Sequence, residues 1–292
     1  MKKLKPIVVL AALAFLNSCN SDDPVTPVND DGNNEPFVRE LTIPTTGFES
    51  PESYDGMQLV WQDEFEGSAL NSENWYHETG NGINGWGNNE LQYYRENNTS
   101  MVEGNLVIEA KREDFQGSLY TSSRIVTLNK QSFKYGRIDI RAVLPETQGL
   151  WPALWMLGTN FNDVGWPACG EIDIMEMIGG EGRENTVHGT VHWDANGSHA
   201  QYGGSKTLST GTFADEYHVF SIVWDETEIR WLVDDQQYHV INIEPADLDE
   251  FQKEFFFIFN VAVGGNWPGS PNGETVFPQW MVVDYVRVFQ TN

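Results

Sequence analysis

The chain has 292 residues, of which 43 are acidic and 17 basic, a net charge of −26. That balance excludes binding to nucleic acid, which depends on Lys and Arg contacts to phosphate, and it argues against a strongly anionic polymer as substrate. Two cysteines, Cys19 and Cys169, exclude a disulfide framework and a cysteine-rich metal site.

Residues 1–19 open with Met-Lys-Lys, continue with an apolar run from Ile7 to Leu16, and end in Leu16-Asn17-Ser18-Cys19. The run is too short to span a bilayer and predicts a signal peptide. Its ending resembles a bacterial lipobox, which implies lipidation at Cys19 and membrane contact through that anchor alone. Ser21-Asp22-Asp23 resembles the export signal of surface lipoproteins, so an outer-membrane, surface-exposed location is expected. Residues 20–56 are rich in Asp, Asn and Pro at first and polar throughout, and predict a disordered tether and boundary. The folded domain is expected over 57–292.

From Met57 the pattern becomes short alternating runs separated by turn residues. They are Gln58–Phe65, Leu106–Lys111, Arg124–Thr127, Gly136–Val143, Trp155–Leu157, Thr186–Trp193, His218–Trp224, Glu228–Val233, Phe255–Val263 and Met281–Phe289. No long segment has helical period. With 13% aromatic residues, 11 Trp and 27 Gly, the reading is all-β: a β-sandwich or jelly roll with an aromatic-lined groove.

The stretch Gly170-Glu171-Ile172-Asp173-Ile174-Met175-Glu176-Met177 carries the chemistry. Large apolar residues between the acids predict a strand, in which Glu171 and Asp173 share a face. Glu176 would point into the core, at a cost of several kcal/mol, unless a β-bulge near Ile174-Met175 turns it round. Three acids on one face repel, which raises the proton affinity of at least one. One protonated and one ionised carboxyl can cleave a glycosidic bond. Two Glu side chains leaning together could close to about 5–5.5 Å, the spacing used by retaining enzymes. The alternative is an edge strand with charges that block aggregation.

Other segments are read beside this one. Gly80-Asn81-Gly82-Ile83-Asn84-Gly85 has dinucleotide-fingerprint spacing but no strand-to-helix context, so a flexible groove loop is expected instead. Trp151 and Trp155 share strand parity and suit either a core or a sugar-stacking surface. Trp166 sits in a loop and suits the sugar-facing role. His188 and His192 share a face; no metal-binding spacing accompanies them, so they either tune the acids or are structural. Cys169 reads as a small buried side chain.

The acidic motif resembles the signature of glycoside hydrolase family 16. So do Tyr135-Gly136-Arg137-Ile138, the run Gly149–Leu157, Trp166-Pro167-Ala168-Cys169, Gly189–Trp193, Asn260–Gly269 and Asp284–Val288. The set runs from about 57 to 290 and is most similar to the bacterial laminarinase branch, whose bulged motif includes the position of Met175. The resemblance implies a curved jelly roll with a cleft on its concave face and retaining endo-hydrolysis of β-1,3-glucan. It implies Glu171 as nucleophile, Asp173 as assisting carboxylate and Glu176 as general acid/base. Trp151, Trp155 and Trp166 match sugar-stacking positions; Asn89, Arg124, His192 and Trp267 are implied groove contacts. No cofactor is implied for catalysis, but a structural calcium is, near Glu64, the Gly104 carbonyl and Asp284. A monomer acting on β-glucan is expected. The alternatives are a β-1,3-1,4-glucanase, a galactan (agarose-type) hydrolase, and a non-catalytic glycan-binding jelly roll.

Overall fold

The computed structural model describes residues 39–291. The signal peptide, Cys19 and the tether up to residue 38 lie outside the described residues. The strands are β1 (Met57–Asp63), β2 (Tyr76–His77), β3 (Gln92–Tyr94), β4 (Thr99–Val102), β5 (Asn105–Phe115), β6 (Ser118–Ser122), β7 (Arg124–Val126), β8 (Gly136–Val143) and β9 (Leu150–Gly158). They continue with β10 (Glu171–Glu176), β11 (Thr186–Asp194), β12 (His199–Thr207), β13 (His218–Trp224), β14 (Glu228–Val233), β15 (Gln236–Asn242), β16 (Phe255–Val263) and β17 (Gln279–Thr291).

They form two sheets. A seven-stranded sheet runs β12-β11-β10-β9-β16-β7-β2, and a ten-stranded sheet runs β15-β14-β13-β8-β17-β5-β6-β3 with β1 on β17 and β4 on β5. All pairings are antiparallel except β3 with β6. This is the jelly-roll sandwich expected from the alternating runs. β12 and β15, polar strands outside those runs, form one edge of each sheet.

The core lies between the sheets. Ile172, Ile174 and Met175 from β10 join Ile138, Ile140, Phe220, Ile222 and Val286 from the opposite sheet. β16 is buried at every position and serves both sides. Phe255, Phe257, Phe259 and Val261 face the core, while Phe256 and Ile258 pack with Val126, Leu157 and Cys169 in a second cluster. A strand buried on both faces reads as a continuous apolar run.

The expected boundary segment is corrected from Arg39 onward. Residues 39–56 dock on the larger sheet rather than trailing from it. Gly47 bridges Tyr217, Arg141 Nε donates to Phe48 O at 2.7 Å, and Ser50 N donates to the Tyr285 hydroxyl at 2.9 Å. The Tyr54 hydroxyl donates to Asp139 Oδ2 at 2.7 Å. Asp139 is fully buried and also accepts from Arg137 Nε and the Ser221 hydroxyl, so the polar segment is fixed by a satisfied network.

Candidate active site

β10 lies between β9 and β11 and carries the three acids. Against β9, Glu171 pairs Leu157 and Asp173 pairs Trp155, but Met175 then pairs Leu154 and Glu176 pairs Ala153. Ile174 has no partner and is the bulged residue. Against β11 the same slip puts Asp173 opposite Thr190 and Glu176 opposite His188. The extra residue resets the alternation. Glu171, Asp173 and Glu176 therefore share the outer face, while Ile172, Ile174 and Met175 enter the core. The strand is also held from beneath. Trp231 Nε1, from β14 in the opposite sheet, donates to the Asp173 carbonyl at 2.8 Å. Gly189 makes room for that indole, since a Cβ there would stand 2.3 Å from Trp231 Cδ1.

Indole and imidazole nitrogens serve the carboxylates. Trp166 Nε1 donates to Glu171 Oε2 at 3.0 Å and Trp151 Nε1 to Glu176 Oε1 at 2.9 Å. His192 Nε2 lies 3.2 Å from Asp173 Oδ2 and 3.6 Å from Glu171 Oε1. The contact to Asp173 is close enough for an ion pair, yet Oδ2 lacks a well-directed hydrogen bond.

Burial raises the pKa of all three acids, with Asp173 the most enclosed at 2% exposure. Mutual repulsion comes second: the Asp173 charge raises Glu171 and Glu176 further. The sequence-based expectation named the repulsion alone. Desolvation dominates because the acids sit on a sheet face walled by tryptophans. At Glu171, His192 and the Trp166 N–H pull the other way, with His192 the stronger. At Glu176 the Trp151 N–H outweighs His192. The site thus has a carboxylate flanked by an imidazole, Glu171, and another set apart from it, Glu176.

The other expected site residues fall into two groups. Trp166 and Trp267 are 47% and 39% exposed; Trp267 meets Trp151 edge-on at 5.6 Å and His188 at 5.0 Å. They form an aromatic wall beside the acids. The second group is engaged with protein. Trp155 Nε1 donates to Asn260 Oδ1 at 2.8 Å. The Arg124 guanidinium lies between the Trp155 and Trp86 rings, 4.9 and 4.6 Å from their centroids, and its Nε pairs with Glu78 at 2.5 Å. Asn89 Nδ2 donates to Asn266 Oδ1 at 2.9 Å, tying the groove loop to the Trp267 loop. Cys169 is buried, its thiol pushed up to about 12 chiefly by burial, which fits the reading of an inert side chain.

The calcium expectation meets a poor donor set. Arg287 grips Glu64 with two N–H groups, Nε to Oε1 and Nη2 to Oε2, both at 2.8 Å. Arg141 Nη1 holds Asp284 Oδ2 at 2.6 Å. Gly104 stands in the turn between β4 and β5. A cation here would meet two guanidinium groups already neutralising its carboxylates, so these side chains do not fit one. Glu171, Asp173 and His192 each offer a ligand atom within 4.8 Å of the others; an imidazole N–H between two carboxylates accounts for that spacing.

Sequence reading missed Asn260, Glu78, Trp86, Trp231 and His199. Asn260 lies in a strand of Phe and Val, and a polar residue at a fully buried position signals a partner. The other four carry no comparable mark.

Paired carboxyls on the outer face of a jelly roll, each held by an indole N–H beneath an aromatic wall, define a glycoside hydrolase. A sequence profile of Glycosyl hydrolases family 16 matches residues 86–286, and the chain belongs to that family. It is 43% identical over 250 residues to the beta-glucanase of Rhodothermus marinus, covering 80% of this chain and 85% of that one. It is 42% identical over 236 residues to the clotting factor G alpha subunit of Tachypleus tridentatus, covering 80% of this chain but 34% of that much longer one. Among solved structures, the laminarinase catalytic domain of Thermotoga maritima aligns with a TM-score of 0.74 at 46% identity, over 81% of this chain and 99% of that one. Enzymes of this family need no catalytic cofactor.

Proposed function

We propose that the protein is an endo-β-1,3-glucanase of the laminarin-cleaving type, working by double displacement with retention. The observation that carries this reading is the bulge at Ile174, which turns Glu176 onto the face of Glu171 and Asp173. In the first step a Glu171 oxygen bonds to the anomeric carbon as the glycosidic C–O bond breaks, and the Glu176 proton passes to the leaving oxygen. Water then gives a proton to Glu176 and attacks the same carbon, releasing Glu171 as a carboxylate. Asp173, between them, shares a proton with Glu171, and the single negative charge the pair retains keeps Glu176 protonated until it is needed. Trp166 and Trp267 offer flat faces for sugar rings. The resemblance to laminarinases at 46% identity supports β-1,3-glucan over other linkages.

Product analysis on laminarin, barley β-glucan and agarose, run in parallel, tests the substrate. Rapid release of short oligosaccharides from laminarin is expected, with slower attack on barley glucan. Preference for barley glucan or agarose would keep the mechanism and overturn the substrate; binding without cleavage would overturn both.

The Leu16–Cys19 ending and the acids that follow it support a lipid anchor at Cys19 and a surface position on the outer membrane. Cys19→Ala should abolish incorporation of labelled palmitate and move the protein out of the membrane fraction. Unchanged labelling would remove the anchor reading.

A further inference from the structure

His199 is an exposed residue of β12, the edge strand of the catalytic sheet. Its Nε2 lies 2.8 Å from His192 Nδ1. The two rings are 20° from coplanar with centroids 5.1 Å apart. That is how two imidazoles joined nitrogen to nitrogen in one plane are arranged, so a lone pair on one ring meets an N–H on the other. Trp166 packs 4.6 Å from the His199 ring while its own N–H serves Glu171.

One hydrogen lies between the two nitrogens, and its owner decides what His192 presents to the acids. Were it on His192 Nδ1, the neutral ring would turn a lone pair toward Asp173 Oδ2 and Glu171 Oε1, 3.2 and 3.6 Å from Nε2. Wherever Asp173 is ionised, a lone pair would then face a carboxylate oxygen 3.2 Å away in a buried position, which is repulsive. With the hydrogen on His199 Nε2, His192 Nδ1 accepts and His192 Nε2–H stands toward Asp173 Oδ2 at 3.2 Å as an electrostatic contact, with Glu171 Oε1 beyond it at 3.6 Å. We propose that His199 is a positioning residue for catalysis, holding the His192 ring in place and in the tautomer whose Nε2–H faces Asp173, with Glu171 just beyond. The proposal rests on the glycosidase reading of the acid face and adds a residue to it.

Glu171 and Asp173 face the pair from β10, and Trp166 from the loop before it. Asp194 on β11 stands opposite His199, and Gln201 on β12 stands opposite His192. Partial burial, and then the neighbouring His192, lower the proton affinity of His199. A neutral His199 keeps one N–H to give and one lone pair. When Glu171 becomes an ester and loses its charge, the His192 N–H can turn fully to Asp173, so the same arrangement serves both steps.

His199→Phe keeps a ring against Trp166 and removes the donor; His199→Gln restores an N–H at nearly the same reach. The variants should be assayed on laminarin between about pH 4 and 9, beside imidazole ¹⁵N spectra of the histidine-labelled protein, with His192→Asn to assign the signals. For His199→Phe, kcat should fall about tenfold with KM within about twofold, and the pH profile should shift. The His192 nitrogens should lose the Nε2–H pattern. His199→Gln should recover kcat to within about threefold of the parent. Unchanged kcat, pH profile and ¹⁵N pattern in His199→Phe would overturn the proposal. A rise in KM alone would also overturn it, by making His199 a sugar contact. Should the parent cleave no glucan, the functional reading fails, while the ¹⁵N pattern still decides the tautomer.

Discussion

Glu171→Gln is expected to lower kcat on laminarin by about 10⁴-fold and leave KM within a few-fold. The amide oxygen can still accept from Trp166 Nε1, which lies 3.0 Å from Glu171 Oε2, so the ground-state site stays intact. What is lost is the negative oxygen that forms the bond to the anomeric carbon, an interaction made only on the way to the transition state. The assignment of Glu171 rather than Glu176 rests on His192, which stands 3.6 Å from Glu171 and favours its ionised form. A small external nucleophile separates the two roles. In Glu171→Gly, azide can occupy the space left by the carboxylate and attack from that side, giving an α-glycosyl azide from a β-linked substrate with a good leaving group. In Glu176→Gly the covalent intermediate still forms from such a substrate, and azide then displaces Glu171 to give the β-azide. The opposite pairing of products would exchange the two roles. A loss of about tenfold or less in Glu171→Gln would remove Glu171 as nucleophile.

The catalytic strand was legible because strand alternation and the cost of burying an acid constrain each other. Glu171 and Asp173 share parity, Glu176 does not, and an unpaired carboxylate in the core is costly enough to imply a bulge. The structure has that bulge at Ile174. The long apolar runs were equally legible: β16 is buried at every position and β17 at most of them. β12 was not. His199-Ala200-Gln201-Tyr202-Gly203-Gly204 is polar and glycine-rich, as an exposed edge strand can be, so alternation leaves no signal and His199 went unread. Long-range polar ties were also invisible. Nothing local joins Arg124 to Trp86 and Glu78, or Glu64 to Arg287 across 223 positions. The polar composition of residues 39–56 concealed docking through backbone groups and through Tyr54, whose partner Asp139 is remote in sequence. Charge counting found the repulsion among the acids; the larger effect, burial, depends on walls that only the folded chain assembles.

Asp173→Asn is expected to stabilise the fold at alkaline pH while it impairs catalysis. Asp173 is 2% exposed, and burial raises its pKa from 3.8 to about 8. In the unfolded chain the carboxyl titrates near its ordinary value of about 3.9. Below about pH 4 both states hold the proton, and the residue adds no pH-dependent term. Between about pH 4 and 8 the folded state keeps a proton that the unfolded state has released, so stability falls as pH rises and the full loss is reached above the folded pKa. Asparagine cannot ionise, so the variant lacks this share of the slope; Glu171 and Glu176 keep the part of theirs that burial causes and lose the part due to Asp173. A shift in this direction makes the variant more stable at pH 8 by an amount on the order of a few kcal/mol, a gain that vanishes toward pH 4. Urea denaturation of both proteins at the two pH values measures it. Catalysis should move the other way, because Asn cannot share a carboxyl proton with Glu171. Equal stability at pH 8, or a less stable variant, would mean that His192 offsets the burial of an ionised Asp173. A gain in stability with a loss in rate would identify the enclosed carboxyl as a destabilising feature retained for the reaction.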